Sequence, residues 1–154
     1  MKLKDRAAII TGGARGIGKA IGSAFVREGA KICLVDVDKK MLETAKNEIQ
    51  KGREEILAFV CDITQSAEVK AAVDRVQKAL GRIDILVNNA GIIRRGTIET
   101  VTEEDWDRVI EVNLKGTFNC CKAVAGIMKK QGYGKIVNIS SIAGKTGDIT
   151  SAPG

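Results

Sequence analysis

Short, nearly continuous apolar runs alternate along this chain with longer segments of helical periodicity. The runs are Ala7–Thr11 (AAIIT), Ile32–Asp36 (ICLVD), Ile56–Cys61 (ILAFVC), Ile83–Val87 (IDILV) and Ile136–Ser140 (IVNIS). A strand with one wet face alternates apolar and polar residues, whereas runs without alternation belong to strands covered on both faces. Between them, Ile17–Glu28 and Lys39–Lys51 read as helices closed by Gly29 and Gly52. Ser66–Leu80 sets Val69, Val73, Val76 and Leu80 on one stripe ahead of Gly81. A long fourth helix is expected over Glu103–Lys130, with Trp106, Ile110, Leu114, Cys121, Val124 and Met128 on its apolar side. Five strand-like runs joined by helices, with right-handed crossovers, predict an α/β fold: a doubly wound parallel sheet with helices on both faces. Residues 1–154 read as one domain without a linker or repeat. Thr146–Gly154 reads as a polar loop, so strands C-terminal to the fifth are missing and its edge is left open.

Composition narrows the chemistry. The chain contains no histidine, which excludes Ser-His-Asp triads, histidine bases and most zinc sites. Cys33, Cys61, Cys120 and Cys121 form no C-x-x-C pair, and no metal site is expected. Free thiols of this kind suit the reducing cytoplasm. The opening MKLKDRAAII lacks the long apolar core of a signal peptide. No apolar stretch approaches the ~18–20 residues of a membrane span, so no membrane partner is expected. The net charge of +6 could suggest nucleic acid, but Lys and Arg alternate with Asp and Glu, as in Lys39-Lys40…Glu43…Lys46…Glu48. Solvated helix faces explain that pattern, and no nucleic-acid partner is expected.

The residues that carry chemistry fall at the C-terminal ends of the strand-like runs. Thr11-Gly12-Gly13-Ala14-Arg15-Gly16-Ile17-Gly18 joins the first strand to the first helix. Gly12, Gly16 and Gly18 allow a tight turn and a close backbone approach to a pyrophosphate, and the helix N-terminus offers unpaired N–H groups. Asp36 ends the second strand, where a carboxylate can accept both hydroxyls of an adenosine ribose. A 2′-phosphate there would meet like charge, which favours NAD over NADP, although Arg15 is a counter-signal. Asp62 and Ile63 follow the third strand, suited to the amino group and the ring of adenine. Asn88-Asn89-Ala90-Gly91 follows the fourth with small residues. Asn113 lies inside the long helix, where asparagine is a poor choice without a partner. Ser140-Ser141 closes the fifth strand, where a hydroxyl could hydrogen-bond a carbonyl or developing alkoxide.

Taken in order, TGGARGIG (Thr11–Gly18), Asp36, CDIT (Cys61–Thr64), NNAG (Asn88–Gly91), VNLKG (Val112–Gly116) and IVNISS (Ile136–Ser141) resemble the short-chain dehydrogenase/reductase family. The resemblance implies a Rossmann fold and a nicotinamide cofactor. It implies Gly12, Arg15, Gly16, Ile17 and Gly18 around the pyrophosphate and nearby ribose, and Asp36 on the adenosine ribose. It further implies Asp62 and Ile63 at adenine, with Asn89, Ala90 and Gly91 near the nicotinamide ribose. Asn113 and Ser141 would be two members of the family's Asn-Ser-Tyr-Lys tetrad. The family's Tyr-x-x-x-Lys motif has no match: Tyr133, the one tyrosine, precedes the fifth strand. The expected function is an NAD(H)-dependent oxidoreductase interconverting a secondary alcohol and a ketone. The alternatives are an NADPH-dependent 3-oxoacyl-thioester reductase and an inactive dinucleotide-binding fragment. A homodimer or homotetramer through the helix 103–130 is expected.

Overall fold

The computed structural model describes residues 1–50 and 56–142. Five strands form one parallel sheet: β1 (Ala7–Thr11), β2 (Lys31–Asp36), β3 (Leu57–Val60), β4 (Ile85–Asn88) and β5 (Lys135–Asn138). Their order is β3-β2-β1-β4-β5, so β1 is central and the chain reverses its direction of travel between β1 and β4. All five residues of β1 are buried, as an unalternating run requires.

Helices cover both faces. On one face α1 (Gly16–Arg27) and α2 (Lys39–Gln50) enclose a core of Ile10, Ile32, Leu34 and Leu42. On the other, α3 (Ser66–Leu80) and the final helix enclose Ile9, Val35, Val73, Val76, Leu86 and Val124. The α3 bounds agree with those read from the apolar spacing, and Gly81 caps that helix at φ 75°. Lys51 and Gly52, expected to end the second helix, and the loop Thr146–Gly154 lie outside the described residues.

The expected fourth helix needs two corrections. It is α4 (Glu103–Ile110), a π-helical turn (Glu111–Gly116) and α5 (Thr117–Gln131), not one uniform α-helix. Thr102 starts it by accepting from Asp105 N–H at 3.1 Å. The extra residue in the turn leaves carbonyls out of step, and the Thr117 hydroxyl donates to the Asn113 carbonyl at 2.8 Å. The buried side also differs. Val112, Gly116, Cys120, Val124 and Met128 face the core, whereas Trp106, Ile110, Leu114 and Phe118 are 39–64% exposed. Two apolar stripes at four-residue spacing run along this element, and packing selects one of them. The strand at this end of the sheet departs from the expectation as well, since every residue of β5 is exposed.

At the N-terminal edge of the sheet, the carboxylate of Asp84 is fully buried and well satisfied. It accepts from Arg82 Nε and Nη2 at 2.7 and 2.6 Å, Arg6 Nη1 at 3.0 Å and Ala7 N–H at 3.0 Å. Burial opposes its charge, but Arg82, the Ala7 amide and Arg6 outweigh that and hold the carboxyl below the usual range.

Candidate cofactor site

The crevice lies at the C-terminal ends of the strands, above the reversal between β1 and β4, where open parallel sheets bind ligands. Its floor is the turn after β1. Gly12 and Gly16 have φ of 63° and 52°, conformations that glycine adopts without strain. Gly18 serves a different need: a Cβ there would stand 2.2 Å from the Gly12 carbonyl oxygen and 2.5 Å from Asn89 Nδ2. The first turn of α1 is thus packed directly under the loop. At Gly16 a Cβ would meet nothing within 4 Å, so the backbone there is open to the crevice at the helix N-terminus. An open N-terminus with no side chain in the way fits an anionic diphosphate.

The turn is held from the far side of β1. Asn89 Nδ2 donates to the Thr11 and Gly12 carbonyls at 3.0 and 3.1 Å. The Thr11 hydroxyl oxygen accepts from the Asn89 and Ala90 amides, both at 3.1 Å. Its second anchor is Asp36, whose Oδ2 accepts from Ala14 N–H at 3.1 Å and whose Oδ1 accepts from Asp38 N–H at 3.2 Å. Asp36 is half-buried, and each carboxylate oxygen has a lone pair to spare for a hydroxyl.

The third wall follows β3. Asp62 Oδ1 accepts from Thr64 N–H at 2.9 Å, and Asp62 N–H donates to Glu68 at 2.9 Å. Ile63 is buried beside it, and Arg108 of α4 stands 4.0 Å from the Asp62 carboxylate. Behind this wall Asn119 of α5 donates to the Ile63 and Thr64 carbonyls. Asn113, in the π turn, exchanges two bonds with one residue: its Oδ1 accepts from Ile92 N–H and its Nδ2 donates to the Ile92 carbonyl, both at 2.9 Å. That pairing is the partner its mid-helix position calls for.

The crevice measures about 350 Å³. Gly12, Arg15, Gly16, Ile17, Asp36, Asp62, Ile63, Asn89, Ala90 and Gly91 all line it. Gly18 sits beneath the turn, and Asn113 reaches the rim through Ile92 and lies against Gly91. Ser141, exposed three residues past β5, is not among the crevice-lining residues. Sequence reasoning missed Arg108, Val112 and Ile92 in the lining and Asn119 behind it. The one available signal was the three-residue spacing of Asn113, Gly116 and Asn119. Among the described residues no group of three or more Cys, Asp or Glu is placed to hold a metal ion, and no helix is long and apolar enough to cross a membrane.

A family model described as short chain dehydrogenase matches residues 6–153. An uncharacterized oxidoreductase of Mycobacterium bovis is 46% identical over 147 residues, covering 96% of this chain and 59% of the relative. The 3-oxoacyl-[acyl-carrier-protein] reductase of Thermotoga maritima is 42% identical over 148 residues, covering 96% and 60% respectively. The crystal structure of an NAD+-bound xylitol dehydrogenase superposes with a TM-score of 0.92 at 34% identity, covering 96% of this chain and 57% of that one. The chain therefore spans about three fifths of the length of the relatives it matches.

Proposed function

The chain belongs to the short-chain dehydrogenase family, and we propose that it carries the dinucleotide site of an NAD(H)-dependent oxidoreductase interconverting a secondary alcohol and a ketone. The observation that carries this reading is the crevice itself, where glycine backbone, one carboxylate at the end of β2 and a second after β3 surround a single space. When bound, the nicotinamide would supply the hydride-accepting carbon. The chain's own residues do the placing. Gly12, Gly16 and the α1 N-terminus take the diphosphate, with Arg15 and Ile17 at its side. Gly18 keeps the turn tight. Asp36 accepts from the adenosine ribose, Asp62 and Ile63 take adenine, and Asn89, Ala90 and Gly91 border the nicotinamide ribose. Ser141 orients the substrate oxygen, and Asn113, the second tetrad member, holds Ile92 by both its backbone groups at the rim of the crevice. Neither side chain ionises near neutral pH, so neither is the proton acceptor, and the family's Tyr-x-x-x-Lys motif matches no position in these 154 residues.

Asp36→Ala should weaken NAD and favour NADP by about 2–4 kcal/mol, through two lost hydrogen bonds and relief of like charge. Titrating both dinucleotides checks this, and an unchanged preference would remove Asp36 from the ribose. A second reading, an NADPH-dependent 3-oxoacyl-thioester reductase, draws on the adjoining hollow lined by Arg15 and Lys40, whose cations suit a 2′-phosphate, and by Lys19, which is paired with Glu48. Wild-type preference for NADP in the same titration would favour it.

We further propose that the exposed line of Trp106, Ile110, Leu114 and Phe118 pairs with a second copy in a homodimer or homotetramer. The protein would work in the cytoplasm, consistent with four free cysteines.

A further inference from the structure

We propose that Asn119 is a positioning residue for the adenine end of the crevice, an inference that rests on the dinucleotide reading above. Asn119 is 93% buried by its 7% exposure, which is uncommon for an amide side chain in a helix. Its two Nδ2 hydrogens have separate acceptors, the Ile63 carbonyl at 2.9 Å and the Thr64 carbonyl at 3.2 Å. Both acceptors belong to irregular backbone 55–56 residues away, immediately after Asp62. These carbonyls need an amide donor, because buried backbone oxygens left unpaired are costly.

One turn earlier, Gly116 completes the clamp. A Cβ on Gly116 would lie 2.5 Å from Ile63 Cδ1, so the Ile63 side chain rests directly on the helix backbone. The adenine loop is therefore held twice by the same stretch of helix: by its carbonyls at Asn119 and by its side chain at Gly116. Three residues before Gly116, Asn113 holds Ile92 by both backbone groups. One helical segment thus sets two walls of the crevice relative to each other. Asn119 fixes the adenine wall and Asn113 the nicotinamide wall.

The helix alone does not need this amide. A purely structural asparagine would affect every ligand of the crevice alike, whereas a positioning residue affects the adenosine half selectively. The test measures dissociation constants of NAD, adenosine monophosphate and nicotinamide mononucleotide for the intact protein and two variants. Asn119→Leu keeps the volume and removes both donors. Gly116→Ala keeps the donors and displaces Ile63. Each variant should bind adenosine monophosphate about tenfold more weakly, the equivalent of about 1.4 kcal/mol, while nicotinamide mononucleotide affinity stays within about twofold. If Asn119→Leu fails to fold, Gly116→Ala decides the matter. Equal weakening of both fragments, or weakening of neither, overturns the role of Asn119 and leaves the cofactor reading intact. Failure of the wild-type protein to bind NAD or adenosine monophosphate overturns the cofactor reading and this inference with it.

Discussion

The same substitution, glycine to alanine, should have opposite effects at two helical positions of this protein. Gly126 lies in α5, exposed, where a Cβ would meet nothing within 4 Å. Alanine removes backbone freedom from the unfolded chain there, so Gly126→Ala should stabilise by about 0.5–1 kcal/mol. Gly18 lies in α1 and is buried, and its Cβ would stand 2.2 Å from the Gly12 oxygen and 2.5 Å from Asn89 Nδ2. A methyl carbon sits about 3.5 Å from its neighbours at contact, so the Gly12 carbonyl must retreat by more than an ångström. That neighbour is backbone, held at 3.1 Å by Asn89, and no rotamer change relieves the clash. Overpacking costs about 1–3 kcal/mol, and each Asn89 bond broken costs about 1 more. Against the same propensity gain of about 1 kcal/mol, Gly18→Ala should destabilise by about 2–4 kcal/mol. Because the displaced group is the crevice floor, NAD affinity should fall by about two orders of magnitude, and at Gly126 it should not change. Urea unfolding followed by fluorescence of Trp106, with NAD titration by calorimetry, measures both quantities. A Gly18→Ala protein that matches wild type in midpoint and NAD affinity would refute the close packing of helix and turn.

Other perturbations have equally definite outcomes. Asp84→Asn should destabilise at neutral pH, and its deficit should shrink as pH falls. The wild-type carboxyl is held below its ordinary value, so its stabilisation is complete above the unfolded pKa of about 3.9 and is lost as pH drops through the lower folded value. Unfolding curves at pH 7 and pH 3 check this, and a pH-independent deficit would contradict it. Burial pushes the Cys61 and Cys120 thiols up to about 11 and about 12, and Cys33 upward as well. At pH 8 an aromatic disulfide reagent should therefore label at most Cys121 in the native protein and all four cysteines in urea. Leu114→Glu, at a position 64% exposed, should leave the unfolding midpoint almost unchanged yet shift sedimentation of the assembled protein toward monomer. Retention of the oligomer would remove that helix face from the interface.

β1, β2 and β4 were legible because a parallel strand buried on both faces has a simple signature, and α3 because its valines repeat at one helical spacing. The Gly-rich turn after β1 was legible because its glycines are required by local geometry that adjoining residues reveal. Other features depend on distant partners. Asp84 reads as one polar residue in an apolar run, and its satisfaction by Arg6 arises across 78 residues. The π turn has no compositional mark, since Glu111–Gly116 would suit an α-helix equally well. Trp106 and Val112 begin two apolar stripes of the same period, and only docking against the sheet decides that Val112 turns inward. Asn119 bonds to backbone carbonyls, which every residue type carries, so no sequence pattern names its partners.

The anchoring of the Gly-rich turn by Asn89 has a consequence for synthesis on the ribosome. Thr11 and Asn89 are separated by 78 residues, and at about 5–20 residues per second Asn89 is made about 4–16 s after Thr11. During that interval β2 and β3 can already pair beside β1, because each finds its neighbour in chain already made. The turn itself lacks its clamp until β4 arrives on the other side. The nascent half-sheet can thus form before the turn is held from both sides, and under the proposed function a dinucleotide supplied during translation would assist only the later half of folding.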